Sequence, residues 1–100
     1  MYVGVLSVRL HLHGVLDLKA KRRIVLQIKD RVRAKFNCAV AEVGDLDLWQ
    51  VATIGVSVVS NEGAHANSAL DQIARFIDGT GLAEMLDHTI EVLSVKDGAA

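Results

Sequence analysis

Period-two alternation opens the chain. Between Tyr2 and Leu12 the even positions Leu6, Val8, Leu10 and Leu12 are apolar, and the odd positions run Val5, Ser7, Arg9, His11, His13. That pattern predicts a strand whose even residues face a core. Gly14 ends it. From Leu18 to Phe36 the period changes. Ile24, Val25, Ile28, Val32 and Phe36 recur at three- and four-residue spacing, which on a helix gather into an arc of roughly 120°. Asp17 stands where an N-cap is needed to accept from the unpaired N–H groups of the first turn. A second strand is expected near Asn37 to Val43, followed by the loop Gly44-Asp45-Leu46-Asp47. Alternation returns from about Trp49 to Val59, with Ala52, Ile54, Val56 and Val58 on one face and Trp49, Val51, Thr53, Gly55 and Ser57 on the other. Ser60 or Asn61 is placed to cap a second helix, Glu62 to Asp78, with Ala66, Leu70, Ile73 and Ile77 as its buried stripe. Gly79 and Gly81 stop that helix. Leu82 to Asp87 reads as a loop or one helical turn, and His88 to Lys96 as a last strand before a frayed Gly98-Ala99-Ala100 tail.

The element order is β-α-β-β-α-β over residues 1–100, with no proline, linker, repeat or low-complexity tract. It predicts one α+β domain of ferredoxin-like form: a four-stranded antiparallel sheet with two helices on one face. Right-handed crossovers give the strand order 4-1-3-2, with the first and third strands central. This fold hosts enzymes, metal carriers and RNA binders alike, so function has to be read from sites.

Composition narrows the setting. Hydrophobic residues make up 51% of the chain and aromatic ones 4%, which implies a core of Val, Leu, Ile and Ala. Cys38 is the single cysteine, so no internal disulfide forms, as fits a reducing cytosol; its expected role is that of a small buried hydrophobe. No signal-peptide pattern is visible, and no apolar run approaches the ~20 residues of a membrane span. The expected location is cytoplasmic, without membrane attachment.

Charge changes the picture more. The net charge of −1 hides a concentration of eight of the eleven Lys and Arg side chains in residues 17–36. One helix is therefore basic on an otherwise acidic body, and such a local field attracts phosphate even when the whole molecule is slightly negative. Arg22, Lys29 and Arg33 fall together beside the apolar arc with Leu26 among them, while Lys19 and Arg23 lie further round the helix.

Candidate chemistry is sparse. His11 and His13 share a strand face and are spaced to meet on a metal, but zinc takes three or four ligands and the carboxylate expected nearby is Glu91; two surface histidines are the simpler reading. Glu42, Asp45 and Asp47 surround a turn without calcium-loop spacing and read as turn stabilisers. No phosphate-binding glycine loop, Ser-His-Asp set or Cys-x-x-Cys pair is present. Acylphosphatase chemistry on this fold needs an Arg-bearing glycine-rich loop after the first strand, which His13-Gly14-Val15-Leu16 does not supply. No catalytic residue, cofactor, metal or small-molecule substrate is assigned, and binding is favoured over catalysis. Trp49 offers an aromatic surface on which a base can stack. The open sheet face, however, carries Val5, Ser7, Arg9, Thr53, Gly55 and Ser57 where RNA-recognition motifs carry aromatics, so Trp49 is expected to pack under the preceding loop or at a protein contact.

Three blocks, Asp17 to Val25 (DLKAKRRIV), Lys35 to Gln50 (KFNCAVAEVGDLDLWQ) and Ile54 to Asn61 (IGVSVVSN), give the chain its resemblance to the YlxP-like family, small bacterial proteins of unknown function. The resemblance spans nearly the whole chain. It implies a ferredoxin-like fold, a cytoplasmic setting and, because members are often encoded beside translation-initiation and ribosome-maturation genes, work near RNA or the ribosome. It implies no catalytic residues. The chain departs from the family pattern at Asp17, where many relatives have Ser, and at Asp45 and Val51, where a His or other polar residue and an Arg are usual. The last two changes remove positive charge near Trp49.

Two roles follow as expectations. In one, the chain is an RNA- or ribosome-associated module contacting phosphates through Lys19, Arg22, Arg23, Lys29 and Arg33. In the other it is a self-associating homodimer or protein-interaction module, using Val5, Trp49, Val51 and Leu93 on the open sheet face.

Overall fold

Alternating burial along the first strand sets the frame for everything else. In the computed structural model, which describes residues 1–96, the elements are β1 (Tyr2–His11), α1 (Leu18–Lys35), β2 (Ala39–Gly44), β3 (Val51–Ser60), α2 (Gly63–Gly79) and β4 (Glu84–Ser94). The sheet order is β2-β3-β1-β4 with every pairing antiparallel. This is the predicted order read from the other edge, and the fold is ferredoxin-like. The expectation for the Gly98-Ala99-Ala100 tail lies outside the described residues.

Leu6, Val8 and Leu10 of β1 and Ala52, Ile54, Val56 and Val58 of β3 are all buried, as the alternation requires. They meet Val25, Ile28 and Val32 of α1 and Ala66, Leu70, Ile73, Ala74 and Ile77 of α2 in one core. Gly4 lets α2 come this close to the sheet. A Cβ at Gly4 would lie 2.7 Å from Leu70 Cδ1, a separation no packed carbon tolerates.

Capping differs between the two helices. Asp17 has extended backbone and its carboxylate accepts from Ala20 N–H at 2.7 Å, which is the expected N-cap. Neither Ser60 nor Asn61 caps α2. The N-cap is Glu62, with no side-chain cap bond. Ser60 Oγ accepts instead from Glu62 N–H at 3.1 Å, so it stabilises the turn before the helix rather than the helix end. α2 also runs through Gly79 to a Thr80 C-cap whose hydroxyl donates to Ile77 O at 2.7 Å, and the left-handed residue beyond is Gly81, at φ 71°.

The last strand differs most from expectation. β4 begins at Glu84, inside the stretch expected as a loop, and a bulge shifts its register against β1 between Arg9 and Leu10. Arg9 faces Asp87, to which its guanidinium is paired at 3.1 Å, and Glu91 faces Val5. Both acids and Arg9 lie on the open side, so the strand phase is as predicted.

Candidate functional site

The basic helix presents two different kinds of cation. Lys21 belongs to the same stripe as Val25, Ile28 and Val32, at spacings of four, three and four, and is only 1% exposed. Its ammonium donates to Asp45 O and Leu48 O, each at 2.6 Å, and lies 2.9 Å from Glu42 Oε2. The last contact is a charge contact only: Glu42 Oε2 is buried and receives no hydrogen bond. The ammonium thus meets three oxygens where a strand, a loop and a helix converge. Asp45 takes the left-handed conformation at φ 58°, which Asp tolerates better than most side chains, and its carboxylate accepts from Thr53 Oγ1 at 2.7 Å. The Asp45 side chain therefore braces the loop from within.

The outer cations are another matter. Lys19, Arg22 and Arg23 are exposed, Lys29 is half-buried, and none of the four has an ion-pair partner among the described residues. With Leu26 between them they form one stripe along α1. Arg33 continues that stripe but is engaged, pairing with Asp30 at 3.5 Å and donating to Val40 O at 3.3 Å. Arg33 additionally faces Cys38, whose thiol is pushed above its usual range by burial, with the Arg33 charge pulling the other way. Lys35 lies over the ring of Phe76, 4.8 Å from its centroid, and is committed to the contact between the helices.

The open sheet face divides into two zones. At one end Val5, Val59 and Leu93 are exposed, Val59 by 69%, and Val43 (59% exposed) lies over Gly55, whose Cβ would come 3.0 Å from it. Val5, Val43 and Gly55, with Ala39, Ala41 and Ser57, border a shallow apolar groove. Val51 is half-buried at the other end, next to His11. Trp49 precedes β3 rather than opening it and is 50% exposed beside Leu46 and Leu48. It does not pack beneath the loop. The loop is tied down by Lys21, by Leu12 N–H donating to Gln50 O at 2.8 Å and by Gln50 Nε2 donating to Val15 O at 3.3 Å.

At the polar corner of the sheet, the histidine pair has a carboxylate neighbour, but it is Glu84 and not Glu91. His11 Nδ1 lies 3.2 Å from His13 Nε2, which lies 2.5 Å from Glu84 Oε2. The sequence does not reveal the β4 bulge because Glu84 to Asp87 mixes acids with Met85 and Leu86 and shows no clean period.

Comparison with known proteins gives the chain a family and no activity. It is 36% identical over 62 residues to the uncharacterized protein YlxP of Bacillus subtilis (strain 168), a match covering 62% of this chain and 67% of that protein. A de novo designed protein with a ferredoxin fold, solved by NMR, has a TM-score of 0.51 at 16% identity, covering 100% of this chain and 90% of its own. The crystal structure of acylphosphatase from Bacillus subtilis has a TM-score of 0.49 at 15% identity, covering 98% and 91%. At 16% identity the likeness to the designed protein speaks to the fold alone. Residues 3–90 match the family DUF503, proteins of unknown function, and to that family this chain belongs.

Proposed function

We propose that the protein is a non-catalytic binding module that holds the phosphate backbone of RNA, in a ribosomal or other translation-linked setting, through the outer stripe of α1. One observation carries this reading. Lys19, Arg22, Arg23 and Lys29 line one side of a rigid helix without an acidic partner among the described residues, although the rest of the chain is acidic. Chains with acids to spare commonly neutralise such a row with surface pairs. Cations left unpaired on a straight element match a regularly spaced polyanion, and binding there would release counterions and show little sequence preference.

The test replaces Lys19, Arg22 and Lys29 with Glu and leaves Arg33 in place because it also serves Val40. RNA affinity is expected to fall sharply with the fold intact. The slope of log K against log salt should shrink by about 2, at about 0.7 for each single-strand phosphate that is no longer neutralised. Leu26→Ser is the companion variant. If it spares RNA binding, recognition is electrostatic; undiminished binding by the triple variant, or none by the parent at near-physiological salt, sinks the RNA reading.

A second reading has its own support. Val43, Val59 and Leu93 are exposed together on the uncovered sheet face, and apolar clusters of this kind commonly mark interfaces. A second copy of the chain is the simplest occupant, with Val5, Leu93 and the small residues Gly55 and Ser57 of the neighbouring β3 at its centre.

A further inference from the structure

We infer that His11, His13 and Glu84 form a binding site for a divalent transition cation of the zinc class. Their donor atoms all lie within 4.8 Å of one another. Two histidines and a carboxylate are a donor set that zinc takes, with a water or outside ligand in the fourth position. Donors on a tetrahedral zinc at bond lengths of about 2.0–2.2 Å stand roughly 3.3 Å apart; the two imidazole nitrogens here are 3.2 Å apart, and the exposed Glu84 carboxylate, 2.5 Å from His13 Nε2, has to swing outward to admit the ion.

The backbone brings this set together by a specific device. Arg9 is paired with Asp87, so regular pairing would place Leu86 opposite Leu10 and Met85 opposite His11. The bulge skips Leu86, so Met85 falls opposite Leu10 and packs against the core, while Glu84 falls opposite His11 on the open face. Bulges re-aim side chains in this way at functional sites. The cost is visible in Leu86, left 45% exposed. His13, two residues beyond His11, adds the second imidazole from the same side.

Hydrogen bonding alone serves the cluster poorly. His13 Nε2 carries either one proton or one lone pair, yet it faces both His11 Nδ1 and Glu84 Oε2. A cation at the centre of the three donors serves all of them at once. Magnesium and calcium, which prefer all-oxygen shells, are not suited to two imidazoles.

The experiment titrates chelator-treated protein with Zn²⁺ by calorimetry and follows the histidine ring signals by NMR. One saturable equivalent is expected, with the His11 and His13 signals shifting and those of His65 and His88 left in place. His13→Ala and Glu84→Gln should each weaken binding at least tenfold, with circular dichroism showing the fold retained. Excess Mg²⁺ should not displace the zinc. Absence of saturable uptake, an isotherm unchanged by either substitution, or shifts confined to His65 or His88 would each overturn the site.

Discussion

Lys21 joins the helix of the basic motif to the loop that carries Trp49. Its ammonium is out of water, and it is held by two carbonyls and one carboxylate. Removing one member of a buried charge contact leaves the other uncompensated, at about 3–5 kcal/mol. Lys21→Met is therefore expected to destabilise the protein by that amount, read as a lower denaturant midpoint at unchanged slope. Lys21→Met combined with Glu42→Leu should recover only part of the loss. The carboxylate no longer lacks a partner, but Asp45 O and Leu48 O still do. A full recovery would mean that the two carbonyl bonds contribute nothing. By sequence, Lys21 reads as one more surface base among eight. Its spacing to Val25, Ile28 and Val32 is the signal that separates it from the others, since a cation in the phase of a buried stripe must find partners inside. Glu42, in phase with buried Val40 on the helix-covered face of β2, is legible as an acid and not as its partner, because that pairing depends on where the loop returns.

Among the elements, α1 has the plainest sequence signal and β4 the weakest. The Ile24, Val25, Ile28, Val32 stripe and the Asp17 cap place α1 to within a residue of where it lies. Ile28 is fully buried at the centre of its contact with the sheet. Ile28→Ala should cost about 2–5 kcal/mol through reduced burial and an unfilled cavity. Lys19→Ala, exposed in the first turn, should change stability by less than about 0.5 kcal/mol. Equal shifts in urea melts of the two variants would contradict the orientation of α1. The start of β4 is hard to read because a bulge breaks period two, and a strand with acids at Glu84 and Asp87 looks like a loop. The same irregularity hides Glu84 from the histidines, since partners across a bulge cannot be matched by counting from a regular register. Helix caps follow this division. Asp17 is local chemistry and readable, whereas the bare Glu62 cap is set by the path from β3.

At the scale of the molecule, two helices cover one side of the sheet and leave the other open, so the question is what meets the uncovered side. Topology and strand phase are legible because each strand's alternation points to one shared core. The occupant of the open face is not, because exposed Val and Leu look alike whether they meet a second copy or another protein. The layout favours a face-to-face dimer over edge pairing. Val5, Val43, Val59 and Leu93 gather on the face, where the small residues Gly55 and Ser57 let a partner approach. A two-fold axis through this region would set Val59 against apolar side chains of the other copy and leave Arg9, Asp87 and the His11 corner at its margin. Sedimentation equilibrium at high micromolar concentration is then expected to give twice the chain mass of 10.8 kDa, with little dependence on salt because the contact is apolar. Val59→Glu, a substitution at a position already 69% exposed in the single chain, should return the protein to monomer without lowering its thermal stability at dilution. A monomer mass for the parent at that concentration would rule out self-association of the isolated chain and leave the apolar face to a different protein. A dimer that persists in Val59→Glu would place the interface elsewhere on the molecule.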